Sequence, residues 1–158
     1  LMAATLPAVP EALGLARAMA ATGVDFIISF VINRQGRVLD GHSLADAFAI
    51  IDAGCSPRPL GYMVNCAYPS FFQARSEPEE VFSRMIGYQA NGSSLDHADL
   101  DGAQGMLADD IMDWARRMVE LNQSFGIKIL GGCCGTTSEH LEAIVSAASG
   151  RARMKSAL

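Results

Sequence analysis

The feature that most constrains this chain is the regular alternation of short apolar segments with longer amphipathic ones, punctuated by glycine. "LMAAT" (1–5), "DFIISFVI" (25–32), "PLGYMVNC" (59–66), "VFSRMIGYQAN" (81–91) and "IKILGG" (127–132) have the length and β-branched or aromatic content of strands. Between them, "EALGLARAMAATG" stops at Gly23, "LADAFAIIDAG" stops at Gly54, and residues 106–125 carry apolar side chains at helical spacing around Trp114. "SEHLEAIVSAAS" opens a last helix that Thr137 or Ser138 can cap, and "RARMK" reads as a solvated basic end. Strand–helix repetition of this kind predicts an α/β fold with a parallel sheet.

Two parallel architectures fit that rhythm. A doubly wound sheet with a nucleotide site calls for a glycine-rich phosphate loop after an early strand, and neither G-x-G-x-x-G nor a Walker sequence is present. A (β/α)8 TIM-type barrel instead gathers its chemistry just after strand C-termini, where this chain has its conspicuous residues. A whole barrel takes about 250 residues, so five units in 158 predict somewhat more than half of one. An open piece of this kind would expose two strand edges and an apolar interior. It needs the missing N-terminal half of the barrel, or a second copy, to close.

Composition removes several functional classes. Half of the residues are hydrophobic, enough for a real core, and 12 basic against 17 acidic residues give a net charge of −5. No broad basic surface is available for nucleic acid or anionic lipid. The most apolar early stretch is interrupted by Arg17, Gly23 and Asp25, so no membrane span is expected. Without a recognisable leader, a cytoplasmic address is the default.

The four cysteines then carry the chemistry. Cys66 ends the third predicted strand, and Cys133 and Cys134 stand side by side at the end of the fifth, within "ILGGCCGTT". Neighbouring side chains of a regular strand point to opposite faces, but Gly131, Gly132 and Gly135 permit the distortion that turns both sulfurs inward. Three thiolates around Zn²⁺ leave a fourth tetrahedral position open for a thiol substrate. A buried structural pair or a redox role are the competing readings, the latter without a C-x-x-C motif. Cys55 reads as a packing residue, His42, His97 and His140 share no ligand spacing, and His140 falls in the first turn of the last helix as a structural residue.

With these residues in view, the chain is similar to the zinc-dependent homocysteine S-methyltransferases, a family with betaine-, S-methylmethionine- and methylfolate-dependent members. "VNC" (64–66) and "GGCCGTT" (131–137) carry the resemblance, with "LDGHSL" (39–44) in support and "YQANG" (88–92) as a looser match. The resemblance implies that Cys66, Cys133 and Cys134 are zinc ligands and that residues 1–150 hold strands 4 to 8 of a (β/α)8 barrel, followed by the tail 151–158. It implies a small-molecule thiol, homocysteine, as acceptor: its sulfur attacks a methyl group on an onium or folate donor, and methionine leaves. By position, Asn65 and Tyr88 are expected near the substrate. Ala4 stands where the family pattern has a glutamate that holds the substrate's amino group. Two further readings follow from that departure and the missing units: a zinc-binding but catalytically idle thiol-binding or assembly subunit, and an incomplete structural fragment.

Overall fold

A computed structural model describes residues 1–95 and 108–155, with side chains of residues 151–155 left aside. Five parallel strands form one sheet: β1 Met2–Leu6, β2 Ile27–Phe30, β3 Gly61–Ala67, β4 Met85–Ala90 and β5 Ile129–Gly132. Their order across the sheet is their order in the chain, β1-β2-β3-β4-β5, with every neighbouring pair parallel. A doubly wound sheet reverses direction at a switch point. This one never does, and the described helices pack with the sheet into one core, as in a sector of a TIM-type barrel whose crossovers share one hand.

The helices are α1 Val9–Ala20, α2 Leu44–Gly54, α3 Glu79–Arg84, α4 Ile111–Phe125 and α5 Ser138–Lys155, with two 3₁₀ turns at Pro69–Phe71 and Ala74–Ser76. Local chemistry fixes their ends. Ser43 caps α2 by accepting from the Asp46 amide (3.1 Å), and Asp110 caps α4 by accepting from the Asp113 amide (2.8 Å). Gly126, at φ 74°, closes α4 in the left-handed conformation that glycine adopts without a Cβ penalty.

The core lies between the sheet and this helical layer. Ile28, Phe30, Tyr62, Val64 and Tyr88 point into it from the strands and meet Ala12 and Ala16 of α1, Phe48 and Ile51 of α2, and Trp114 and Met118 of α4. Phe48 stacks on Tyr62 with centroids 4.0 Å apart. At the N-terminal end of the sheet the Tyr62 hydroxyl donates to Asp52 (2.7 Å), whose carboxylate also receives a two-point contact from Arg84 (2.8 and 2.9 Å). That joint ties α2, β3 and α3.

The opposite face carries Ser29, Met63, Asn65, Gly87, Gln89 and Gly131, and among the described residues no helix covers it. Met63 lies across Gly87, occupying the space a side chain there would take, and so stays buried. At the two sheet edges Met2 and Ile129 are 50% and 46% exposed. No helix among the described residues is long and apolar enough to cross a membrane.

Most predicted elements recur with ends moved by a few residues, and two differ. The fourth strand, expected over 81–91, begins only at Met85: Glu79–Arg84 form α3, with Glu79 and Glu80 in its first turn and Val81 as its buried anchor. β2 stops at Phe30, because Ile32 leaves the sheet to form an isolated antiparallel bridge with Val38. The helix expected over 106–125 starts at Ile111, with 106–107 and His97 outside the described residues. The backbone of the basic "RARMK" segment continues α5.

Candidate metal centre

The three cysteines named from the sequence meet at the C-terminal end of the sheet. The sulfurs of Cys66, Cys133 and Cys134 all lie within 4.8 Å of one another, with Cys133 and Cys134 4.0 Å apart. Each reaches the cluster by a different backbone device. Inside β3, Asn65 faces the uncovered side, so a regular Cys66 would face the helices; Cys66 instead takes φ 54°, in a register shift between Asn65 and Ala67. That conformation is unfavourable for a side chain with a Cβ, and its presence in a cysteine marks a local constraint.

The adjacent pair is arranged otherwise than expected. Cys133 and Cys134 follow β5 and sit in a turn, and of the three glycines only Gly135 takes a left-handed φ, 75°. Gly132 serves instead by its lack of a side chain, since a Cβ there would overlap Thr136. Thr136 in turn donates through its amide (3.2 Å) and hydroxyl (2.7 Å) to the Cys133 carbonyl. The turn, not a distorted strand, carries both sulfurs.

A segment given little weight in the sequence joins the two halves. After β4, the Asn91 side chain donates to the Cys66 carbonyl (3.1 Å), while the Gly92 amide donates to the Cys134 carbonyl (2.9 Å). The Cys133 amide donates to Ala90 (2.7 Å), and the Trp114 indole holds the Asn91 carbonyl (2.8 Å). The signal was the turn-forming "ANG" directly after a strand. The Oδ1 of Asn91 is buried and, among the described residues, has no hydrogen-bond partner.

The thiols also share their protons unequally. A hydrogen bond with Cys66, assisted by backbone and side-chain contacts with Cys134, lowers the Cys133 thiol to about 5 against the effect of burial. The same bond, with burial, pushes Cys66 up. Within the pair, the ionised form is favoured on Cys133 and the protonated form on Cys66.

This donor set suits a thiophilic divalent cation. Tetrahedral zinc–sulfur bonds of about 2.3 Å separate the ligand sulfurs by about 3.8 Å; Cys133 and Cys134 already stand at 4.0 Å, and all three sulfurs lie within 4.8 Å of one another. Other candidates fall elsewhere. Tyr88 is wholly buried on the helix face, where β4 alternation turns it toward the core and its hydroxyl donates to the Tyr68 carbonyl (2.9 Å). Asn65 is 4% exposed and bonded to protein groups. Cys55 packs against the core and donates to Ile51. His140 is buried in the first turn of α5 with its ring edge-on to Trp114, and His42 pairs with Asp40 at 3.0 Å in the loop before α2.

The model of homocysteine S-methyltransferases matches residues 1–148. The chain belongs to this family. Among solved structures it is similar to the metallated form of the homocysteine methyltransferase MmuM from Escherichia coli, with a TM-score of 0.61 and 20% identity. The match covers 93% of this chain and 44% of that one, so the chain spans less than half the length of this relative. At that identity the likeness concerns the fold, and it agrees with the sheet order found in this member of the homocysteine S-methyltransferase family.

Proposed function

We propose that the chain supplies the metal-bearing part of a zinc-dependent thiol methyltransferase, with homocysteine as acceptor and methionine as product. The observation that carries the reading is the meeting of three cysteine sulfurs within 4.8 Å in a chain matched to this family over residues 1–148. Cys66, Cys133 and Cys134 would hold the ion. Zinc so held deprotonates a bound thiol at neutral pH and leaves a fourth position for the acceptor's sulfur. The acceptor sulfur then forms a bond to the donor's methyl carbon as the carbon–heteroatom bond of an onium or folate donor breaks. The turn Cys133–Thr136 and the Asn91–Gly92 segment keep the sulfurs converged while this happens.

In this reading residues 1–150 are strands 4 to 8 of a (β/α)8 barrel, with 151–158 as a tail. Support comes from the unreversed strand order, the uncovered face and the two open edges. A preceding barrel segment would cover them, a second copy being the other route. A reducing cytoplasm suits three free thiols. Ala4, exposed on β1, favours the alternative of a metal-loaded but idle thiol-binding subunit, because no carboxylate stands there to receive an ammonium group.

Metal analysis of fully reduced protein, followed by methyl transfer to homocysteine from several donors in the closed barrel, tests the proposal. One zinc per chain with methionine formed is the expected result, and a reduced protein that holds no zinc overturns it. Stoichiometric zinc without detectable homocysteine binding by calorimetry selects the idle subunit.

A further inference from the structure

We infer that Asn65 is a positioning residue that locks the sulfur of Cys66 to the C-terminal tip of β1, rather than a contact to substrate. Its Oδ1 accepts from the Thr5 amide (2.9 Å) and the Ser29 hydroxyl (2.6 Å), while its Nδ2 donates to the Thr5 hydroxyl (2.6 Å) and to Cys66 Sγ (3.2 Å). A carboxamide has two donor hydrogens and two acceptor lone pairs, and all four positions are taken. Nothing remains to offer a ligand. The orientation of the amide is also determined: the Thr5 backbone N–H can only donate, so the atom facing it is oxygen, and the atom facing Cys66 is the NH₂ group.

A second observation converges on the same side chain. Thr5 (φ 61°) and Cys66 (φ 54°) are the non-glycine residues with positive φ among the described residues, and both are bonded to Asn65. Each coincides with a register shift, between Ala3 and Leu6 in the β1–β2 pairing and between Asn65 and Ala67 in the β3–β4 pairing. One buried amide thus bridges two strained backbones, spanning β1, β2 and β3. Removing it frees both, and Cys66 loses the contact that holds its sulfur toward Cys133 and Cys134. Hydrogen bonds from such outer groups commonly orient metal ligands, and their loss typically weakens metal binding about 10–100-fold.

The inference rests on the three thiols being metal ligands, and the experiment separates the two ideas. In the intact protein, Asn65→Ala removes all four bonds. Asn65→Asp keeps the acceptor for Thr5 and Ser29 but loses the N–H donated to sulfur. Ser29→Ala removes one bond remote from Cys66. Zinc affinity by chelator competition and the cobalt–thiolate charge-transfer band of Co²⁺-loaded protein report on the sulfur; hydrogen exchange over residues 2–8 reports on Thr5. Both Asn65 variants are expected to bind zinc about 10–100-fold more weakly with an altered cobalt band. Ser29→Ala should stay near wild type. The Thr5 amide should exchange at least about tenfold faster in Asn65→Ala, yet little faster in Asn65→Asp. Wild-type affinity and cobalt band in Asn65→Asp overturn the inference. Wild-type protein without metal overturns the proposed function instead, and exchange then decides the tie: an unchanged Thr5 amide in Asn65→Ala sinks it too.

Discussion

Replacing Gly92 with alanine tests whether the thiol cluster depends on the close approach of two loops. A Cβ at that position would lie 2.5 Å from the Gly135 carbonyl oxygen and 2.9 Å from its carbon, with the Ala108 side chain at 3.4 Å. The obstruction is backbone, so no rotamer change relieves it, and the loops must separate by about 0.5–0.9 Å to restore ordinary contact. The bond that closes them, from the Gly92 amide to the Cys134 carbonyl at 2.9 Å, then lengthens. Overpacking costs about 1–3 kcal/mol and a weakened hydrogen bond about 1 kcal/mol, giving a loss of about 2–4 kcal/mol. The loop shift moves the Cys134 carbonyl and the turn that carries two of the sulfurs, so zinc affinity should fall as well. Urea unfolding of the metal-free protein and chelator competition of the zinc-loaded protein measure the two effects. Gly14, inside α1 with nothing within 4 Å of its would-be Cβ, is the control: Gly14→Ala should stabilise by about 0.5–1 kcal/mol. A Gly92→Ala protein within about 0.5 kcal/mol of wild type and with unchanged zinc affinity would refute the reasoning.

Three other outcomes are expected. Serine at Cys66, Cys133 or Cys134 should each abolish stoichiometric zinc measured by elemental analysis, whereas Cys55→Ser, whose sulfur is bonded to Ile51 and packed on the core, should retain it. Arg84→Ala leaves the Asp52 carboxylate beside the Tyr62 hydroxyl without its two-point partner and should cost about 2–3 kcal/mol in chemical denaturation, with no change in metal content. Burial disfavours the ionised form of Asp40, but bonds from the Val9 amide, the His42 side chain and the His42 amide outweigh it and hold its pKa low. Its contribution is therefore present above the unfolded carboxylate value of about 3.9 and is lost as pH falls through the lower folded value. Asp40→Asn should flatten the acid limb of a stability–pH profile in that window and leave its neutral region parallel to wild type.

How much of this could be read from residues depends on whether a feature is local. Helix α2 follows from "SLADAFAIIDAG" because its cap, its apolar period and its closing glycine sit within one segment. The three thiols were legible for a similar reason: strand C-termini in a parallel sheet lie at one end of it, so cysteines at two of them fall near one another, while their convergence is completed by the turn after β5 and the Asn91–Gly92 loop. Cys66's left-handed backbone was not legible, since its carbonyl is held by Asn91, 25 positions away, and its neighbour Asn65 is anchored on Thr5, 60 positions away, partnerships no local pattern encodes. Tyr88, expected near substrate from the looser "YQANG" match, lies on the helix face because it alternates with Gly87 and Gln89 in β4, a facing that the motif match alone does not encode. Gly87, a strand-weakening residue by propensity, belongs in β4 because Met63 from the next strand fills its place.

The position of the cluster within the sheet separates two requirements of the proposed chemistry, holding a metal and enclosing a substrate. All the contacts that converge the three sulfurs come from β3, β4, β5, the loops after them and the tip of β1, which lie within this chain. The face carrying Ser29, Met63 and Gln89, by contrast, is covered by no helix among the described residues, and Ala4 presents no charge at its edge. The groups that would hold a metal are therefore brought together by the five-stranded sheet itself, whereas the proposed methyl transfer would also need a wall opposite the exposed face to orient an amino acid and a methyl donor and exclude water. Zinc held by Cys66, Cys133 and Cys134 would stabilise the folded sheet by mass action, tying β3 to the turn after β5.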